Sequence, residues 1–338
     1  MTSHEAWLSR NYQGDTVECL ACSHQCKIAN GNRGICQVRK NEGGVLYLEV
    51  YGKVIAQHVD PIEKKPVFHF YPGTPIFSIG TIGCNFRCSF CQNWDISQYS
   101  KTTEDREDIG FYLPPQAIVE FCLTEQVPSI AYTYNEPAIF FEYAYDTAKI
   151  AHEHGLRNVY VSNGFETEEA LNNISPYLDA ANIDLKSFRD EFYRKVCGGR
   201  LEPVKKTIKW LWEHGVWVEV TTLVIPGEND SIQELQSIAE FLSGISPDIP
   251  WHLSRYHPEY KMDNPMTPQG TLEKAYAIGK EAGLHYVYVG NILIDGREDT
   301  HCPSCGECVI KRSGYTVENM LNNNTCLICN TIIPGRFL

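Results

Sequence analysis

The chain has 338 residues, 43% of them apolar, enough for one large domain with appendages or two ordinary domains. A net charge of −13 argues against a nucleic-acid backbone as the main partner, and there is no run of about 18 apolar residues to cross a membrane. The N-terminal "MTSHEAWLSRNYQGD" lacks an apolar signal core, so the chain reads as cytoplasmic and its 14 cysteines as reduced metal ligands rather than disulfides.

Residues 1–75 form an N-terminal segment. Cys19, Cys22, Cys26 and Cys36 stand there in C-x2-C-x3-C-x9-C spacing. Four ligands suit a closed site, either a structural zinc or an auxiliary iron–sulfur cluster. The basic runs "IEKKP" and "PVKKTIK" read as solvated faces.

From 76 to 292 strand and helix signals alternate. "PIFSIGTIG" predicts a strand, as do "SIAYTY", "RNVYVSNG", "AANIDLK", "VWVEVTTLVIPG", "PWHLSRYHP" and "LHYVYVG". Between them, residues 136–155 predict a helix ending at Gly155, and "TEEALNNI" one capped by Thr167 with acids behind it. "EPVKKTIKWLWEHG", "SIQELQSIAEFLSG" and "TLEKAYAIGKEAG" predict three more. Such repetition implies right-handed crossovers and a parallel sheet, wound as a full or partial barrel or as a doubly wound sheet. Either way, chemistry gathers at the C-terminal ends of the strands. Cys122 and Cys197 fall in helices and read as buried apolar residues.

Residues 293–338 change character. Cys302, Cys305, Cys326 and Cys329 have C-x2-C-x20-C-x2-C spacing, a zinc-ribbon pattern, with Cys308 spare or an alternative ligand. A segment this short needs such a staple to fold.

The first strand of the middle region runs into "IGCNFRCSFCQNW". Cys84, Cys88 and Cys91 have C-x3-C-x2-C spacing, and no fourth cysteine follows until Cys122. Three thiolates on a four-iron cubane leave one iron open, and an open coordination position marks a catalytic metal. A zinc knuckle borrowing a distant ligand is the alternative.

This loop resembles the radical S-adenosylmethionine superfamily, whose signature is C-x3-C-x-aromatic-C, with Phe90 in the aromatic place. The likeness is closest to the branch of pyruvate formate-lyase activating enzymes. Within it, "DPIEKKP", "GCNFRC", "FCQNWDISQ" (with Asn93) and "TYNEP" resemble the radical enzymes of the AmmeMemoRadiSam system. The resemblance implies a partial (β/α)6-type TIM barrel with small cysteine-rich N- and C-terminal appendages. It implies a 4Fe–4S cluster whose open iron chelates S-adenosyl-L-methionine. Reductive cleavage then gives a 5′-deoxyadenosyl radical that abstracts hydrogen from a protein, peptide or small molecule. A one-electron donor such as flavodoxin or ferredoxin is an implied partner, as are Memo-like and AMME-region-like proteins.

It also implies roles at the strand ends. Tyr134 and Asn135 stand in place of the two glycines of a Gly-Gly-Glu-Pro motif, and Glu136, its glutamate, would accept from the cofactor's ammonium unless it simply caps the next helix. Ser162 and Asn163 match Thr-Asn-Gly near the methionine moiety, although Asn-Gly is also a turn signal. Asp184 and Lys186 share one sheet face as cofactor or substrate contacts, or as a buried ion pair. Thr221 stands where the activases carry an arginine, residues 224–227 would flank the adenine, and His257 and Asn291 would face the site. The rival from another class is a non-catalytic zinc-binding scaffold.

Overall fold

The computed structural model describes residues 4–102 and 109–337. Eight strands form the main sheet: β1 (Ala56–Pro61), β2 (Pro75–Gly80), β3 (Ser129–Tyr132), β4 (Arg157–Ser162), β5 (Ala180–Asp184), β6 (Trp217–Val224), β7 (Trp251–Arg255) and β8 (Val287–Gly290). Their order across the sheet is their order in the chain. β1 runs antiparallel to β2, and every later pair is parallel. The crossovers after β2 carry helices α1 (Pro115–Thr124), α2 (Phe141–Glu153), α3 (Glu168–Ile174), α4 (Leu201–Glu213), α5 (Ile232–Ile245) and α6 (Gln269–Glu281). A doubly wound sheet reverses its strand order at a switch point. This one never does, so the winding is that of a barrel. β1 and β8 are the sheet's two edges, so the barrel is partial.

Local chemistry accounts for these elements. The central strands are buried on both faces, so β3 is an unbroken buried run. α4 buries Leu201, Val204, Ile208 and Leu211 at three- and four-residue spacing. Thr167 accepts from Ala170 N at 3.1 Å and starts α3, while Gly155, at φ +79, stops α2. The helix expected over 136–155 opens instead with a 3-10 turn, Pro137–Phe140, before α2 begins. Pro137 has no N–H to give, and Glu136 accepts from Ala138 N at 3.1 Å.

The appendages dock on this frame. The N-terminal segment makes two small antiparallel sheets. It is pinned by Arg39, fully buried, whose Nη2 lies 2.5 Å from Glu142 Oε2 on α2. The main sheet reaches back to residue 56, inside the segment that the sequence pattern gave to the N-terminal unit. At the other end, Val309, Ile310 and Ile333 pack on Phe68 and on Tyr286 and Tyr288 at β8. Arg312 is buried over the Phe68 ring and donates to Phe68 O at 2.8 Å. The C-terminal ribbon therefore ties the connection between β1 and β2 to the edge strand β8.

Candidate active site

The loop that leaves β2 carries Cys84, Cys88 and Cys91 to the C-terminal end of the barrel. Their side chains line one cavity of about 810 Å³, within the range of small-molecule sites. Burial raises the thiol pKa of Cys84 and Cys91, and Cys88 is raised first by the neighbouring Cys197 thiol and then by burial. Thiolates there need a strong local positive charge, which a coordinated metal supplies. Soft sulfur donors on a short loop fit an iron–sulfur group. Cys197 is fully buried, as expected, but it faces Cys88. Sequence spacing could not reveal that neighbour.

Residues at the neighbouring strand ends brace the loop. Asn135 Nδ2 donates to Thr81 Oγ1 and to Gly83 O, each at 3.0 Å. Asn163 Nδ2 donates to Asn85 Oδ1 at 2.7 Å, next to Cys84. Asn93 Nδ2 donates to Tyr134 O at 2.8 Å. Phe90 lines the cavity with its ring 5.8 Å from Lys186 Nζ. Lys186 Nζ in turn lies 2.7 Å from Asp184 Oδ2, and both residues line the cavity. Burial works against the Lys186 charge, but Asp184 and Cys88 outweigh it and hold the pKa high.

Several expectations change. Glu136 lies behind the wall, fully buried and absent from the cavity lining. Its Oε2 accepts from Asn163 N at 2.8 Å, and its Oε1 from Ser162 Oγ at 2.9 Å as well as from Ala138 N. It caps the 3-10 turn and ties two strand ends together. Ser162 Oγ also lies 2.6 Å from Glu166 Oε1 and accepts from Gly164 N at 2.9 Å. One hydroxyl proton cannot serve two carboxylates at once, and the two acids stand close together in a buried site. Burial, with repulsion from Glu166, raises the Glu136 pKa.

His257 lies outside the cavity lining; it is exposed and meets Gln92 Nε2 at 3.3 Å. Val224 and Ile225 are fully buried, and Leu223 lines the cavity in their place. Thr221 and Asn291 do line it.

The run "IEKKP" is solvated only at Lys64, which is exposed. Lys64 and Lys65 line the cavity, and Lys65 is buried. They meet Asp60 at 2.9 and 2.6 Å, and Tyr134 OH donates to the same carboxylate at 2.8 Å. Burial would raise the Asp60 pKa, but hydrogen bonds from Lys65, Lys64 and Tyr134 overcome it and hold the carboxyl well below its usual range. The signal was present as an aspartate four and five residues ahead of the two lysines. Lys101, also unflagged by sequence, places a half-buried ammonium against Phe86 O within the cysteine loop.

In the C-terminal ribbon the sulfurs of Cys302, Cys305, Cys326 and Cys329 all lie within 4.8 Å of one another. Cys308 stands outside that group. The quartet fits a tetrahedral ion, whose thiolates at about 2.3 Å from zinc stand about 3.8 Å apart. The four N-terminal cysteines line a separate narrow cavity with Arg39 and Asn85.

A partial parallel barrel with three loop cysteines opening on one cavity is the arrangement that the resemblance to radical S-adenosylmethionine enzymes implies, and the comparisons with known proteins bear on the same class. The family model "Radical SAM superfamily" matches residues 78–242. An uncharacterised protein of Methanocaldococcus jannaschii is 43% identical over 331 residues, covering 96% of this chain and 97% of that one. The pyruvate formate-lyase 1-activating enzyme of Escherichia coli K12 is 22% identical over 218 residues, 60% of this chain and 87% of that one. Streptococcus suis SuiB bound to S-adenosylmethionine shares the fold, with a TM-score of 0.51 at 15% identity over 68% of this chain and 53% of that one. The chain belongs to the radical SAM superfamily. A purely structural scaffold is thereby set aside. Among the described residues no helix is long and apolar enough to cross a membrane.

Proposed function

We propose that Cys84, Cys88 and Cys91 hold a 4Fe–4S cluster with one open iron, and that S-adenosylmethionine binds there beneath a protein, peptide or small-molecule substrate. When bound, these groups supply one electron and a 5′-deoxyadenosyl radical that abstracts hydrogen. The observation that carries this reading is that all three thiols of one loop open on a single large cavity. The chain's own residues hold and orient. Asn135 and Asn163 fix the loop through Gly83 and Asn85, Phe90 and Leu223 offer apolar surface, and Asp184 with Lys186 present a paired charge to the same space. Enclosure keeps water from a reactive intermediate.

Lys64 and Lys65 of "DPIEKKP" line the same cavity, which supports placing the chain with the AmmeMemoRadiSam radical enzymes. Memo-like and AMME-region-like proteins are then its partners, with flavodoxin or ferredoxin as electron donor. The zinc of this reading sits in the C-terminal ribbon.

The test is anaerobic reconstitution of wild type and Cys88→Ala with iron and sulfide, read by visible absorbance and by 5′-deoxyadenosine formation. The wild type turns brown and cleaves S-adenosylmethionine; the variant loses cleavage, because a cubane on two thiolates is poorly held. Near wild-type cleavage by the variant would sink the assignment.

A further inference from the structure

The cysteine quartet of the N-terminal segment is unused by the reaction above, yet it leans directly on the catalytic loop. Tetrahedral zinc draws four thiolates to about 3.8 Å from one another. The ribbon meets this, with Cys302–Cys329 at 3.5 Å and Cys305–Cys326 at 3.8 Å. Among the described residues, the ribbon is the group of three or more ligands lying within 4.8 Å. The four N-terminal cysteines line one cavity of their own. Four soft thiolates, each able to bind a different iron, fit a cubane.

The two cysteine groups are separated by little more than one strand of backbone. Cys36 O accepts from Ser100 Oγ at 3.2 Å and lies 2.9 Å from where a Cβ on Gly83 would sit. Gly83 adjoins Cys84 and holds φ +91, so this close approach requires glycine. Cys22 bridges to Glu166, and a His24 ring nitrogen lies 2.9 Å from Asn85 O. Asn85, which follows Cys84, lines the quartet's cavity. Two cations serve the groups: Lys101 interacts with Cys36 as well as with Cys84, Cys88 and Cys91, and Arg39 with Cys19 and Cys36.

Access favours the quartet as well. The open face of the triad is the cavity that the cofactor and substrate fill. The quartet reaches the surface elsewhere, where Ile35, 49% exposed, lines its cavity beside the half-buried Cys26.

We propose that Cys19, Cys22, Cys26 and Cys36 hold a second four-iron cluster, through which the electron of an external one-electron donor protein reaches the triad's cluster. The proposal rests on the catalytic reading above. The donor loses one electron, the second cluster is reduced and then reoxidised, and the triad's cluster gains that electron. No bond or proton moves.

The test compares wild type with Cys22→Ser/Cys26→Ser after anaerobic reconstitution with iron, sulfide and zinc. Iron and zinc are counted, and low-temperature EPR is recorded after reduction by dithionite or by flavodoxin hydroquinone. The expected variant loses half its iron, keeps its zinc, and loses the spin–spin broadening of the fully reduced wild type. Its remaining signal still shifts on adding S-adenosylmethionine. Dithionite still reduces it, and flavodoxin no longer does. Should the variant fail to fold, the wild-type zinc-to-iron ratio and EPR broadening decide. Zinc in both quartets beside a cluster that responds to S-adenosylmethionine would overturn this proposal alone. A lone cluster indifferent to S-adenosylmethionine would overturn the catalytic reading with it.

Discussion

Glu136 offers a direct contest between a sequence reading and a structural one. As a contact for the cofactor's ammonium, its loss would weaken S-adenosylmethionine binding and spare stability. As the buried group found here, its loss strands two backbone donors, Ala138 N and Asn163 N. An orphaned buried donor costs about 1–3 kcal/mol, so Glu136→Ala should lose about 2–6 kcal/mol of stability. The pH dependence is a second handle. Burial and the Glu166 charge raise the Glu136 pKa from 4.5 to about 8. Between those values the folded state holds a proton that the unfolded state has released. The stability from this group is complete below pH 4.5 and is lost as pH rises toward about 8, by at most about 1.4 kcal/mol per pH unit. Glu136→Gln does not titrate and should flatten that slope. The assay is urea unfolding followed by tryptophan fluorescence across pH 5–8, beside anaerobic calorimetry of S-adenosylmethionine binding. An unchanged unfolding midpoint in Glu136→Ala with weakened binding would refute the argument.

Removing the guanidinium in Arg39→Met leaves the Glu142 carboxylate buried without its partner, which costs about 3–5 kcal/mol. The N-terminal segment should become sensitive to trypsin before the barrel does, and equal digestion rates would contradict this. Replacing Cys326 and Cys329 by Ser should release the ribbon's zinc and expose the chain from about residue 295 to trypsin. Basal 5′-deoxyadenosine formation should mostly survive, since the triad lies on another loop; loss of iron together with that activity would show a redox role for the ribbon.

Much of the site was legible because its signals are local. The triad's spacing, the Thr167 cap and the pairing of Asp184 with Lys186 on one strand face depend on neighbours within a few residues. Others were hidden because their partners are distant in the chain. Glu136 appears at a strand end either as a cap or as a ligand, and only the approach of Asn163, 27 residues on, decides between them. Lys65 reads as a surface charge until Tyr134 and Asp60 are seen beside it at the cavity. His257 closes a strand in sequence, and its exposed ring meets Gln92 of the cysteine loop, a contact between residues 165 apart that no spacing announces.

The sequence by itself determined the alternation of strands and helices, the superfamily and the ribbon, because side-chain periodicity and ligand spacing are properties of short stretches. Periodicity alone left the winding open between a barrel and a doubly wound sheet, and the tertiary structure shows the partial barrel that the family resemblance implied, with its strands in chain order. The tertiary structure alone seats the ribbon between β8 and the chain that joins β1 to β2, and brings the N-terminal cysteines against Gly83 and Asn85. Those outcomes depend on which distant surfaces bury one another, and burial between segments far apart in the chain leaves no periodic trace in either of them.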